Sequence, residues 1–230
     1  MDIQAILQRL QQLGDPAAAR GMARYGIRPE NVFGVAIPDL RALAKEIGVD
    51  HELARRLWKI KRRETMILAS MIDDPGAVDE SQLSAMVKDF YDWEVCDQTV
   101  MNLIQKTIFA WELALRWCER KEEFVRRAGF VLMARLAVSE KSAANERFEA
   151  FFPLIIKHAT DERNFVKKAV NWALRQIGKR NRALNEKATK VVKQIQNIDS
   201  SSARWIAADA LRELNSDAVQ RRLLCKGKKN

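Results

Sequence analysis

The segment from Asp92 to Asp97 combines a helix start with a carboxylate in an apolar setting. Asp92 is predicted to be an N-cap, because its side chain can accept a hydrogen bond from the unpaired N–H groups of a first helical turn. Trp93 then begins the helix, and Asp97 lies one turn later on the same face. At 100° per residue this face continues through the apolar residues Val100, Met101 and Ile104. An unpaired buried charge costs on the order of several kcal/mol. Asp97 is therefore predicted either to have an ionic partner or to face a cleft.

A second set of candidate residues combines aromatic rings with positive charge. The side of the 161–178 helix that turns away from its apolar stripe carries Phe165, Lys168, Trp172, Arg175 and, just beyond the helix, Lys179. Between Arg163 and Arg182 every charged residue is basic. Cations of this kind contact phosphates, and an aromatic ring among them stacks on a sugar or a base. The pattern favours a nucleic-acid surface over its alternative, a solvated helix face.

Two of these candidates also have a purely structural interpretation. Trp172 can belong to a second packing face, since repeat helices often contact neighbours on two sides. Arg127 corresponds to Lys168 in an earlier copy of the same pattern and can be the ionic partner that neutralises Asp97. The two roles of Arg127 are compatible, because an Asp–Arg pair in a cleft can orient both groups for a ligand.

Composition supports a basic helical protein. The 230 residues include only 9 Gly and 5 Pro, 47% are hydrophobic, and the formal charge is +10 with a pI near 9.7. This charge favours a polyanionic partner. Three cysteines without a CxxC pair and two distant histidines predict neither a disulfide framework nor a metal site. The sequence shows no leader and no apolar run of ~18 residues, so we expect a bacterial-type cytoplasmic protein without a membrane anchor. We expect it to associate with the nucleoid when it acts.

Helical periodicity runs through the chain, and no stretch alternates as a strand does. The predicted helices are 2–12, 16–25, 37–48, 50–58, 62–72, 79–90, 92–106, 109–118, 121–137, 144–159, 161–178, 182–195, 201–214 and 216–224. Trp58, Trp111, Trp117 and Trp205 are predicted to be core residues. The expected fold class is all-α.

The helices contain an internal repeat. Phe124-Val125-Arg126-Arg127-Ala128 recurs as Phe165-Val166-Lys167-Lys168-Ala169, an offset of 41 residues, and a looser copy begins at Arg204. HEAT-type helix pairs repeat every 40–47 residues or so. Such units stack because none buries its apolar face alone. We therefore predict a curved α-solenoid with a basic concave groove, formed by one domain over 1–225 and followed by a basic tail, 226–230.

Four short motifs follow one another along most of the chain: Met22-Ala23-Arg24-Tyr25, Trp93-x-x-x-Asp97, Val125-Arg126-Arg127-Ala128, and the run from Lys167 to Arg175. On a basic, all-helical chain of this length they resemble the AlkD-type DNA alkylation repair family, which consists of HEAT-like-repeat DNA glycosylases. The resemblance extends from about the second helix to 201–214. The segment between Tyr25 and Trp93 matches no family motif.

The resemblance implies an enzyme that excises cationic N3- and N7-alkylated purines from duplex DNA. It implies no metal or other cofactor and no need to flip the damaged base into a pocket. Asp97 would be the essential carboxylate, and Trp93 and Trp172 the aromatic pair beside the deoxyribose. Arg127 would lie near the phosphate backbone, and Tyr25 would be a further cleft residue.

This chemistry fits the residue types. An alkylated purine is already a cationic leaving group. As its glycosidic bond breaks, positive charge develops on the sugar, and a fixed carboxylate stabilises that charge. Indole faces also attract a nearby cation. The sequence thus predicts a monomeric, monofunctional glycosylase that leaves an abasic site in double-stranded DNA. Predicted backbone contacts are Lys168, Arg175, Lys179 and Arg163. The alternatives are a non-catalytic HEAT module that binds structured or damaged DNA, and a protein scaffold.

Overall fold

The computed structural model describes residues 1–27 and 31–227, with side chains through Cys225. Within these residues the regular elements are helices and no strand occurs, which confirms the all-α prediction. The chain divides into two compact units, Met1–Phe109 and Ala110–Asn230, and each is described by itself. The side chains of the predicted basic tail, 226–230, lie outside the described residues, and the predicted domain limits stay a prediction.

The N-terminal unit is built from short helices joined by short connections. Its α-helices are α1 (Ile3–Leu13), α2 (Pro16–Met22), α3 (Ile37–Ile47), α4 (His51–Trp58), α5 (Arg63–Ile72), α6 (Glu80–Met86) and α7 (Trp93–Asn102). Short 3₁₀ helices at Ala23–Tyr25, Val87–Asp89 and Ile104–Lys106 finish three of the predicted helices. The helix predicted to continue to 106 ends at Asn102, because Leu103 leaves the helical region with φ −120° and ψ −66°.

The C-terminal unit contains the longest helices of the described chain. They are α8 (Ala110–Cys118), α9 (Glu123–Ser139), α10 (Asn145–Glu149), α11 (Phe152–Lys157), α12 (Asn164–Gly178), α13 (Arg182–Gln196), α14 (Ser201–Leu214) and α15 (Asp217–Gly227). The prediction of a single helix over 144–159 is wrong. Pro153 lies in the first turn of α11, where its missing N–H is tolerated, whereas inside a longer helix it would remove a hydrogen bond.

The predicted repeat organises the contacts of the C-terminal unit. Hydrogen bonds between successive repeats join residues that are 34–43 positions apart, among them Arg126 to Asp161 and Lys187 to Glu149. This spacing brackets the 41-residue offset of the sequence. In the N-terminal unit the corresponding separation is 28–32, as between Trp58 and Asp89. The shorter repeat of that unit was not visible in the sequence.

The apolar stripes predicted for α9 and α12 form the core between the repeats. In α12 the buried residues include Val166, Ala169, Val170, Ala173, Leu174 and Ile177, each 0% exposed. The α9 residues Val125, Ala128, Gly129, Leu132 and Leu136 are buried as well. Trp58 and Trp117 are core residues as predicted, but the prediction for Trp205 is wrong, since its side chain is 40% exposed and lies under the Lys167 ammonium.

Candidate functional site

The first turn of α7 is fixed by the predicted cap. Asp92 accepts hydrogen bonds from the backbone N–H groups of Glu94, at 2.9 Å, and Val95, at 2.8 Å. The side chain is completely buried, and this burial raises the pKa of Asp92 despite the two hydrogen bonds. The cap thus fixes the start of the helix that carries Trp93 and Asp97.

Trp93 is held in place by the segment that contains Tyr25. The indole N–H of Trp93 donates a hydrogen bond to the backbone carbonyl of Tyr25 at 2.7 Å. Its ring packs against the buried cluster of Ala19, Ile27 and Val32 and remains partly exposed. The Tyr25 side chain itself is 69% exposed. Two of the predicted site residues are therefore adjacent in the N-terminal unit, with the backbone of one orienting the ring of the other.

Asp97 lies one turn after Trp93 in α7 and is only 7% exposed. Val100, one turn further along the predicted stripe, is completely buried. The N-terminal unit thus presents a nearly buried carboxylate one helical turn from a partly exposed indole. The alternatives for Asp97, an ionic partner or a cleft, stay open, and its pairing with Arg127 of the other unit stays a prediction.

A buried ionic network that the sequence analysis missed supports the start of α7. Arg63, only 1% exposed, forms two hydrogen bonds to the Glu94 carboxylate, at 2.7 and 2.9 Å. It also donates to Glu64 and to the carbonyl of Val35, each at 2.9 Å. Burial opposes the charged guanidinium, but the two carboxylates outweigh it and raise the pKa of Arg63. Because Glu94 follows Trp93 directly, this network ties the first turn of α7 to α5.

The Glu64 carboxylate completes the network by binding a loop. It accepts hydrogen bonds from the backbone N–H groups of Phe33, Gly34 and Val35 at 2.9–3.2 Å. The one sequence signal for these buried charges, which the sequence analysis did not use, is the Arg63-Glu64 pair at the head of the apolar run of α5. Glu94, the other carboxylate that binds Arg63, is 31 residues away in sequence. Local periodicity does not identify a pair so far apart.

In the C-terminal unit, Arg127 lies between two successive repeats. Its side chain is 6% exposed, and one guanidinium nitrogen donates to the backbone carbonyl of Phe165 at 2.6 Å. The rings of Phe124 and Phe165 meet beside it with centroids 5.7 Å apart. Arg127 is therefore positioned by the junction of α9 and α12.

The predicted basic face of α12 is partly neutralised by the next repeat. Lys168 is exposed and Trp172 is half-buried. Arg175 and Lys179, in contrast, both form ion pairs with Glu213 of α14, and Arg175 also lies 3.5 Å from Asp209. The segment 163–182 contains no acidic residue, but α14 brings two carboxylates, Asp209 and Glu213, next to it.

Arg163 is tied into a repeat junction by Asp161. Its guanidinium makes hydrogen bonds of 2.9 and 2.6 Å to that carboxylate and one of 2.7 Å to the carbonyl of Lys121. Arg126 donates to the same carboxylate at 2.7 Å. Burial opposes the charge of Asp161, but the bonds from Arg163 and Arg126 outweigh it and lower its pKa to about 2.

The described residues contain no group of three or more His, Cys, Asp and Glu side chains that could hold a metal ion. No helix among them is both long enough and apolar enough to cross a lipid bilayer.

Comparison with known proteins identifies relatives. The family model described as "DNA alkylation repair enzyme" matches residues 6–214. The chain matches none of the curated protein sequences. A solved structure from "a new family of proteins related to the HEAT-like repeat DNA glycosylases with affinity for branched DNA structures" superposes with a TM-score of 0.78 at 23% identity, covering 92% of this chain and 95% of that one. This likeness confirms the helical-repeat fold.

Two designed armadillo repeat proteins are more distant. One, in complex with the peptide (KR)4, gives a TM-score of 0.39 at 17% identity over 82% of this chain and 80% of its own. The other gives 0.40 at 19% identity over 93% of each chain.

Proposed function

Because the chain belongs to the DNA alkylation repair enzyme family, we propose that it is a monofunctional DNA glycosylase. It hydrolyses the N-glycosidic bond of cationic N3- or N7-alkylated purines in duplex DNA and leaves an abasic site. It acts as a monomer without a metal or other cofactor. The proposal is carried by one observation, the nearly buried Asp97 carboxylate one helical turn from the oriented indole of Trp93.

Asp97 and Trp93 act on charge that develops in the sugar. As the bond to the alkylated purine breaks, its electron pair leaves with the base, which becomes neutral, and positive charge appears on the deoxyribose. A carboxylate with little solvent around it stabilises that charge more strongly than one in water, and it can orient the attacking water. The Trp93 ring adds a face that attracts a cation and excludes bulk water.

In the C-terminal unit, Arg127 binds a backbone phosphate and Trp172 lies against a deoxyribose. The Phe165 carbonyl fixes the position of this guanidinium, and charge-assisted hydrogen bonds from a guanidinium to a phosphate are among the stronger ones. Lys168, exposed one turn before Trp172, contacts the backbone through its charge. Arg163, Arg175 and Lys179 serve the same surface, although carboxylates share their charge.

The test is base release from methylated duplex DNA by the wild type and by Asp97→Asn. Loss of one electrostatic stabiliser of a transition state lowers rates by about 100- to 1,000-fold, and we expect a loss of that size. Affinity for undamaged duplex should stay the same. Asp39→Asn, at an exposed carboxylate in the first turn of α3, is the matched control and should retain full activity. Near-normal excision by Asp97→Asn would refute the proposal.

The second candidate is a non-catalytic module that binds branched DNA. It is favoured by the structural neighbour, whose family is described as having affinity for branched DNA structures. In that case the wild type releases no base and prefers a four-way junction to linear duplex of the same length. A cellular phenotype would then survive Asp97→Asn but not the combined change Lys168→Glu and Arg175→Glu.

A further inference from the structure

The C-terminal unit contains a basic cleft of which the proposed function uses only Lys179. The cleft has a volume of about 720 Å³ and is formed by the ends of α9 and α12, the start of α13 and one turn of α15. Its cationic lining consists of Lys141, Lys179, Arg180, Arg182 and Arg222. The described residues that line it include no carboxylate side chain. We call it the basic cleft.

Arg180 forms a fixed wall of the basic cleft. Its guanidinium donates to the backbone carbonyls of Ala137, Lys141 and Ala143, at 3.3, 2.9 and 2.9 Å, and to that of Glu140. The ring of Phe148 packs against it at 4.2 Å. These bonds fix the position of the guanidinium in the wall of the cleft. Burial lowers the pKa of Arg180, and the nearby Glu140 partly offsets this effect.

The other cations differ in how far carboxylates already neutralise them. Lys179 pairs with Glu213 outside the cleft, and Arg182 makes a solvent-exposed pair with Glu186. Arg222 donates to the carbonyl of Lys179 at 3.1 Å, which places its guanidinium at the rim. Lys141, which also lines the cleft, is exposed. The cleft is therefore lined by cations from several segments of the C-terminal unit.

The position of the cleft along α12 indicates which anion it takes. Lys179 lies seven residues after Trp172, a distance of about 10 Å at 1.5 Å per residue. Along one strand of a DNA duplex, phosphates advance by about 3.4 Å per nucleotide. A strand whose sugar lies against Trp172 and which runs along α12 therefore brings a phosphate to the cleft about three nucleotides away.

We propose that the basic cleft binds a backbone phosphate of the DNA strand that lies along α12, about three nucleotides from the sugar at Trp172. This inference rests on the proposed binding of DNA but not on base excision. Arg222 donates to the phosphate oxygens, since a planar guanidinium suits two oxygens of one phosphate. Lys141 adds charge from the rim. The cleft thus fixes the register of the strand at a distance from the reacting sugar.

The experiment measures the salt dependence of binding to an undamaged duplex. The combined variant Lys141→Gln and Arg222→Gln removes two rim charges that the proposed reaction does not need. Each lost phosphate contact lowers the slope of log K against log salt by about 0.9, and loss of the one phosphate in the cleft should lower it by that amount. The control is Lys190→Gln with Lys193→Gln, which removes the same charge from exposed positions of α13 outside the cleft. The control should keep the wild-type slope.

The outcomes separate this inference from the proposed function. An equal slope for the cleft variant and its control overturns the basic cleft as a DNA contact and leaves base excision untouched. A wild type without salt-dependent affinity for DNA overturns both proposals. Thermal unfolding with added inorganic phosphate at constant ionic strength tests the other source of the same chemistry. If phosphate stabilises the wild type but not the cleft variant, while their DNA slopes agree, the site takes free phosphate and the proposal fails.

Discussion

Replacing Asp161 by Asn tests the junction that joins successive repeats of the C-terminal unit. The Asp161 carboxylate accepts hydrogen bonds from Arg126 of α9 and from Arg163 at the start of α12. Its own backbone carbonyl accepts a bond from Ser202 of α14 at 2.8 Å. Only 7% of the side chain is exposed, so the ion pairs are poorly screened by solvent. The substitution preserves the shape of the side chain but removes its charge.

The magnitude follows from the pKa of Asp161. Its two arginine partners outweigh burial and lower that pKa from 3.8 to about 2. One pKa unit corresponds to about 1.4 kcal/mol, so the charged form contributes about 2 kcal/mol to the free energy of unfolding. Because the folded-state pKa lies below the unfolded one, this contribution is complete above about pH 4 and disappears as the pH falls towards 2. At neutral pH, Asp161→Asn should therefore lose at least about 2 kcal/mol, since Arg126 is left without its carboxylate.

Urea unfolding measured between pH 7 and pH 2 checks both the size and the sign. The difference between wild type and Asp161→Asn should be greatest at neutral pH and should shrink by about 2 kcal/mol between pH 4 and pH 2. Asp199→Asn is the control, because Asp199 makes a fully exposed pair with Arg204, which should be worth less than about 1 kcal/mol. Parallel stability curves for wild type and Asp161→Asn would refute the argument.

Two further changes test the packing inside each unit. Trp93→Phe removes the hydrogen bond to the Tyr25 carbonyl but keeps an aromatic ring. Thermal unfolding should show that the free energy of unfolding falls by about 1 kcal/mol, and base release should be slower. Unchanged values for both would contradict the orienting role of that bond. Gly129→Ala places a methyl group 2.8 Å from the Cα of Cys118, so α8 and α9 must separate at a cost of about 1–3 kcal/mol in urea unfolding. Gly21→Ala, whose methyl group meets nothing closer than 3.5 Å, should be neutral or stabilising by comparison.

The features that the sequence predicted correctly are local or periodic. The Asp92 cap depends on neighbours within three residues, and the α12 stripe repeats every turn, so both can be derived without tertiary information. The 41-residue repeat was visible because α9 and α12 carry similar residues at equivalent positions. The same reasoning placed Trp93 and Asp97 on one helix face. The roles of these two residues in catalysis are still predictions.

The features that the sequence did not predict depend on pairing between repeats. Arg63 and Glu94 are 31 residues apart, and Trp58 and Asp89 have the same separation, yet the two pairs share no residue types. A repeat that preserves geometry but not residue types leaves no visible motif, and the segment between Tyr25 and Trp93 accordingly matched none. Trp205 was assigned to the core for its residue type alone, whereas its position in α14 leaves it 40% exposed.

The same pairing between repeats changes how the charge of α12 is interpreted. Arg175 and Lys179 face Asp209 and Glu213 of α14, so this group of four side chains carries no net charge. A phosphate that approaches these two cations must compete with carboxylates already bound to them, and its gain in free energy is correspondingly smaller. Attraction for a polyanion is therefore strongest on either side of that group. On one side is the exposed Lys168 beside Trp172, and on the other is the basic cleft beyond Lys179. A strand that contacts both is held at two separated points along α12, which fixes its register better than a continuous row of cations would.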